Sequence, residues 1–482
     1  MSTRRSLVFS FLDRYAALVM NIVSSMVIAR LLTPAELGVF SVVMVLTALV
    51  SALRDLGAGQ YLLQEKELTH ARMSATWTVQ VGVGWLMALV VLAAAYPVAH
   101  FYTEPAMLGV MAVLAMNFAT NPVGAMSYAW LMRGMRFDIL AGIRLASSTT
   151  GALVSVGLAW QGQGAISLAF GSLAATLVNA LAGVRYRPAG LGWGLGFAEL
   201  RRVLGFGSKV SGTSLLDTLA NGAPELFLGK LQGIQAAGLY SRGNGLAFMF
   251  HRLVLDATCA VALPLFAKAK REQGSGVAPW LRALSYVTAL GWTFFGSLAL
   301  MAYPLTRLLY GDQWDAAVPV TRWICLALAL GLPAALTPQL LVGTGLAGRL
   351  LKLTAVVLLV QVLCVGVGAQ WGLVQAAMGF ALAQVLAAVV WLHGTHKELR
   401  FSRLALAATL MRSAGVAALT VLVPAACVGV FGLQPAKPLL PLLCALALGV
   451  PAFVLALRWL QHPLYAEVQS VAARVPGLRR WT

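Results

Sequence analysis

Apolar runs of about 20 residues or more recur along this chain from end to end. Each is long enough to cross a hydrocarbon layer roughly 30 Å thick. In lipid a backbone has no water to bond, so it must satisfy itself as helices or as a closed barrel. Barrel strands would alternate polar and apolar residues over about ten positions. Stretches such as "WLMALVVLAAAY" and "LKLTAVVLLVQVLCVGVG" are instead continuously apolar. Only 11% of residues are charged, against about a quarter in a water-soluble domain. The predicted fold class is therefore all-α, a polytopic membrane protein with about fourteen transmembrane helices. They are expected near 9–32, 37–59, 74–101, 105–131, 139–160, 163–184, 203–229, 235–266, 279–303, 316–343, 350–370, 373–395, 404–431 and 438–460. Connections are short, so no extramembrane domain is expected. The start "MSTRRSLVFSFLDRYAALVM" lacks a small-residue cleavage site and reads as a retained first helix.

Lys and Arg set the orientation. Fourteen spans place both termini on one side, with twenty-one loop cations there against four opposite (Arg30, Lys230, Arg307 and Lys437). The crowded side, and with it both termini, is expected to be cytoplasmic. The net charge of +19 then reflects topology and anionic membrane lipid, not nucleic acid. The five cysteines all fall inside apolar runs without ligand spacing, so they read as packing residues, and no metal site is expected.

The chain also repeats itself. Residues 29–41 read "ARLLTPAELGVFS" and residues 229–241 read "GKLQGIQAAGLYS". At this offset Gly38 meets Gly238, Phe40 meets Tyr240, and a cation is kept as Arg30 and Lys230. Thr33, Pro34 and Glu36 are expected to form a helix start with Thr33 as N-cap and Glu36 bonding back to it. Gly233 takes the cap role in the second copy. A repeat of six helices inserts both copies in the same direction, so an axis along the membrane normal is expected to relate two six-helix lobes. The corresponding organisation is 1–200, 201–400 and a pair of extra helices with a tail, 401–482. Pro122 and Pro338 are expected to interrupt helices at matching places in the halves, as transport cavities do; two ordinary kinks are the alternative.

"ARLLTPAELGVFS", "LMRGMRF", "LGFGSKVSGTSLLD", "LGKLQGIQAAGLYSRGNGL" and "LYGDQWDAAVPVTRW" together resemble the polysaccharide transporter family. This is the O-antigen, colanic-acid and teichuronic-acid type of oligosaccharide flippase, in a superfamily with multidrug extruders and the peptidoglycan lipid flippase. The resemblance implies two lobes around a cavity, alternating access, and a polyprenyl-pyrophosphate-linked oligosaccharide as cargo. It implies a bacterial cytoplasmic (inner) membrane, with a polysaccharide polymerase or export machinery as further partners. The sequence departs from the family in one place: members often carry an Asp a few residues before an "IGKFLG"-like stretch, where this chain reads "APELFLG", with Pro224 and Glu225.

Such a task needs cations for phosphate and hydroxyl or amide groups for sugar, and intramembrane charges are functional candidates by default. Arg252 and His251 near the middle of the eighth span are candidate ligands. Asp256 shares the face of Arg252, and a structural ion pair is the alternative reading. Arg54, Arg14, Asn117, Asn121 and Gln339 are further substrate candidates. Asp217, Asn221 and Glu225 fall at i, i+4 and i+8, one stripe that lines a cavity or couples H⁺ or Na⁺; Asp55 joins Arg54 as the first half's counterpart cluster. No cofactor beyond such an ion is expected. The chain is read as a transporter, not an enzyme, because 16 acidic residues and short loops leave no paired-acid site. A cation-coupled drug exporter is the nearest alternative, and a membrane polysaccharide polymerase a more distant one.

Overall fold

The computed structural model describes residues 20, 22–54, 69–187, 194–197, 211–432 and 439–473. It contains no strand among those residues. The helices, in chain order, are α1 Ile22–Leu31, α2 Pro34–Arg54, α3 His70–Tyr102, α4 Ala106–Arg133, α5 Phe137–Trp160, α6 Ile166–Arg185 and α7 Ser211–Leu231. They continue as α8 Ile234–Ala247, a π-helical turn His251–Leu255, α9 Asp256–Gln273, α10 Val277–Tyr310, α11 Ala317–Gly331 and α12 Thr337–Gly343. The last five are α13 Ala347–Trp371, α14 Leu373–Leu399, α15 Arg403–Phe431, α16 Leu439–Trp459 and α17 Leu464–Ala472.

Twelve helical stretches among the described residues are long and apolar enough to cross a membrane, so the protein is a multi-pass membrane protein. Two of the fourteen expected spans are not among the twelve. Only Ile22–Leu31 of the first is a described helix. The other, α7, carries Asp217, Glu225 and Lys230 and is the polar exception.

The chain divides into two compact units, 1–238 and 239–482. In the first, α4 packs between α3 and α6, α5 packs on α6, and α2 packs on α7. Met73, Trp77, Met126 and Ala129 form one buried cluster, and Ile28, Leu32, Ala159 and Leu168 another. With lipid as apolar as leucine, association rests on close backbone approach and interhelical bonds. A side chain at Gly183 would overlap the carbonyl of Val123, and Ser127 donates to the Gly183 carbonyl at 2.7 Å.

The repeated segment explains itself in this unit. Thr33 caps α2: its amide donates to Glu36 Oε2 at 2.8 Å, and the Glu36 amide returns a bond to Thr33 Oγ1 at 3.3 Å. Gly233, at φ +88°, turns the chain into α8. The two helix starts then meet reciprocally. A Cβ on Gly38 would overlap the Ile234 carbonyl, and one on Gly238 would overlap the Pro34 carbonyl. Pro34 and Ile234 are themselves equivalent in the repeat, so the contact is the same on both sides. Lys230, the cation of the second copy, donates to the Phe101 carbonyl at 2.5 Å, where it opposes the negative end of α3.

In the second unit α13 and α14 form a hairpin about Gly372, at φ 144°. α10 packs on α11 and α15, α11 on α14, α9 on α12, and α15 on α16.

Candidate functional site

In the first unit, small residues leave a cavity of about 200 Å³. Ser148, Gly151, Ala152 and Ser155 recur on one face of α5, opposite Gly171, Ser172 and Ala175 of α6, with Met20 and Ser24 closing the site. Ser24, Ser148, Ser155 and Ser172 give it four hydroxyls. Asn117 of α4 donates from Nδ2 to Ser172 Oγ at 3.0 Å, while its Oδ1 is shielded from solvent with no hydrogen bond. Hydroxyls both donate and accept, which suits a hydroxyl-rich ligand. Among the described residues, no carboxylate or cation lines the cavity. The sequence reading chose Asn117; the serines escaped it, since serine at small-residue spacing is equally a packing signal.

The expected polar stripe of α7 is split. Asp217 and Asn221 are exposed, with Asn221 Nδ2 donating to the Asp217 carbonyl at 2.9 Å, whereas Glu225 is buried at 6% exposure. Asn121 sits one turn beyond Asn117 on α4 and is half-buried. Arg54 ends α2; Arg14 and Asp55 lie outside the described residues. The expected pair of proline interruptions resolves into one. Pro338 follows a true break, in the first turn of α12 after a 3₁₀ turn at Leu332–Ala334. Pro122 stays inside a continuous α4. Gly84 of α3 packs there, against the Phe118 carbonyl and the proline ring, so a close neighbour encloses the backbone that proline disturbs.

In the second unit His251, Arg252 and Asp256 fall at a π turn, an irregularity the sequence did not announce. The Asp256 amide donates to the His251 carbonyl, five residues back. Such turns widen a helix locally and often occur at functional sites. Arg252 and Asp256 are exposed on it. The His251 ring stacks on Phe248 with centroids 4.7 Å apart, and its Nδ1 is shielded without a hydrogen bond. Gln339 of α12 is half-buried, with Oε1 likewise shielded.

One cation was overlooked by sequence reasoning. Arg242 of α8 lies over the rings of Tyr310, at 4.7 Å, and Trp314, at 5.2 Å. Arg307 grips Asp315 through Nε at 3.0 Å and Nη2 at 2.5 Å. Two of the quoted motifs, "LYSRGNGL" and "LYGDQWD", are thus two halves of one aromatic and ionic clasp. Only the fold brings residues so far apart in sequence together.

Residues 27–319 match the family described as "Polysaccharide biosynthesis protein". The chain belongs to this family. The matched region holds both copies of the repeat, the serine cavity's α5 and α6, the π turn and the clasp. Among relatives, the chain is 23% identical over 311 residues to the lipopolysaccharide biosynthesis protein WzxC of Escherichia coli (strain K12), covering 64% of this chain and 63% of that protein. It is 24% identical over 349 residues to the succinoglycan biosynthesis transport protein ExoT of Rhizobium meliloti (strain 1021), covering 71% and 69%. The match to the first relative thus spans just under two thirds of its length. Among solved structures, the lipid II flippase MurJ in an inward closed conformation superimposes with a TM-score of 0.76 at 12% identity, covering 94% of this chain and 99% of that one. An inward-facing multidrug resistance MATE transporter gives 0.63 at 15%, covering 82% and 95%. These likenesses show that the chain has the fold those transporters share.

Proposed function

We propose that this protein moves a polyprenyl-pyrophosphate-linked oligosaccharide from the cytoplasmic to the outer leaflet of a bacterial inner membrane by alternating access. The observation that carries the reading is a member of a polysaccharide biosynthesis family whose described residues are almost all membrane helix, with polar groups set within it. Such a chain is built to carry a glycan across lipid, while its relatives include a protein named for transport in succinoglycan biosynthesis. Sugar hydroxyls match the serine cavity and Asn117; the pyrophosphate matches Arg252, whose planar fork gives two charge-assisted bonds. Glu225 or Asp217 couples the step to H⁺ or Na⁺. A drug exporter of the same fold is the competing reading, favoured by the MATE likeness. Organic cations would call for a carboxylate in the cavity, and among the described residues serines line it instead.

The test deletes the gene in its host and treats spheroplasts with a membrane-impermeant glycosidase. Lipid-linked oligosaccharide that accumulates protected from the enzyme, and is released by wild-type but not Arg252→Ala protein of equal abundance, supports the proposal. Accumulation on the accessible outer face points to a polymerase instead, and no accumulation points to drug export.

A further inference from the structure

The family match ends at residue 319, and beyond it His462 and Ser413 join residues of α10 in a buried polar cluster that the transport reading does not use. α16 ends in a Schellman turn: the Gln461 amide donates to the Arg458 carbonyl at 3.2 Å, and the His462 amide to the Leu457 carbonyl at 2.9 Å. Gln461 takes the left-handed conformation, φ +46°, and the turn drives His462 inward, to 2% exposure.

Both ring nitrogens of His462 are engaged there. The Leu464 amide, opening α17, donates to Nδ1 at 3.2 Å. Nδ1 must therefore keep its lone pair, which puts the single proton of the neutral ring on Nε2. Nε2 lies 3.2 Å from Ser413 Oγ of α15 and donates to it. Ser413 Oγ is in turn 2.9 Å from Thr288 Oγ1 and 3.2 Å from the Ser285 carbonyl, both on α10. One imidazole thus joins α17, α15 and α10 through a buried chain that is satisfied only when the ring is neutral. Around it, Leu464 is buried with Leu457, Ala456, Val416 and Ala289, and Tyr465 and Val468 pack on that cluster.

We propose that His462 is a protonation-operated latch: neutral, it ties α17 to α10 and α15, and charged, it releases α17. A proton on Nδ1 would face the Leu464 N–H, replacing a bond with two opposed donors inside a buried site. The elements packed about the ring carry Arg412 on α15, Arg282 and Tyr286 on α10, Arg458 on α16, and Tyr465 and Glu467 on α17, and of these Arg412 acts on the ring. Arg412 disfavours a second positive charge, and together with burial, the larger cause, it holds His462 below the usual histidine range. Glu467 is committed at the surface, accepting from Arg282 Nη2 at 3.1 Å and Tyr286 OH at 3.3 Å. The sign follows. Because the docked ring titrates below the free value of about 6.5, docking is fully stabilised above that pH and is lost as pH falls below it.

The test is hydrogen exchange of the 464–472 amides in the full-length protein in nanodiscs, from pH 8 to pH 5, corrected for the chemical rate. Exchange should rise on acidification by up to about tenfold per pH unit, the limit for one coupled proton. His462→Gln should abolish the pH dependence, and Glu467→Gln should leave it in place. A transition that survives in His462→Gln, or vanishes in Glu467→Gln, overturns the latch. Should His462→Gln not fold, Ser413→Ala removes the Nε2 acceptor and should move the midpoint upward. An unmoved midpoint also overturns the proposal.

Discussion

Thr33 and Glu36 show what a sequence reveals at the scale of single residues. Their bonds span three positions, so the four-letter pattern contains the whole interaction. Glu36→Ala should cost about 1 kcal/mol, the usual worth of a cap, seen as a small fall in the melting temperature of the purified protein. Thr33→Ser should keep most of it. Arg242 is the opposite case. Its partners Tyr310 and Trp314 lie in another motif altogether, and nothing local marks it as paired. Replacing it by alanine should destabilise by roughly 1–2 kcal/mol, and by lysine less, since a desolvated cation over a ring is worth about that. Thermal scans of both variants check the order. Asp217 and Glu225, chosen because they share a helical stripe, part into an exposed and a buried group, because burial is decided by how α7 packs and not by spacing along it.

Among the elements, helix positions were legible because a 20-residue apolar run admits little else in lipid. Irregularities within them were not. Proline is a visible mark, but Pro122 continues a helix and Pro338 follows a break, since neighbours decide whether the disturbed backbone is enclosed. The π turn at His251–Leu255 carries no letter code at all. The repeat was legible as letters, and the structure supplies its reason: two glycines let the starts of α2 and α8 touch backbone to backbone. Gly38→Ala or Gly238→Ala forces that contact apart, and each should cost about 1–3 kcal/mol, the range for overpacking. Because both changes open one crossing, the double variant should lose clearly less than the sum of the two singles. A thermal double-mutant cycle measures it, and strict additivity would mean that the two helix starts do not share a contact.

For the molecule as a whole, the distribution of Lys and Arg makes a claim about direction that helix packing cannot make. Twenty-one loop cations on one side against four on the other favour leaving the first side in the cytoplasm, because translocating each cation is disfavoured. The α5–α6 connection at Gln163 should then lie outside, and the α9–α10 connection at Ser275 inside. Both residues are exposed, so each accepts a reporter without disturbing a core. In a background with the five native cysteines replaced, Gln163→Cys should react with an impermeant maleimide in intact spheroplasts, and Ser275→Cys only after permeabilisation. The reverse pattern would invert the protein. It would then place the crossing of the two repeats, and the α7–α8 connection beside it, on the cytoplasmic face, and a flippase loading cargo from the cytoplasm would meet that tight glycine contact first. Labelling of both positions from outside would mean an even number of crossings between them, against the three expected. Since α6 and α8–α9 each run the length of a span, the even count would mean that the segment holding α7, with Asp217, Glu225 and Lys230, does not cross.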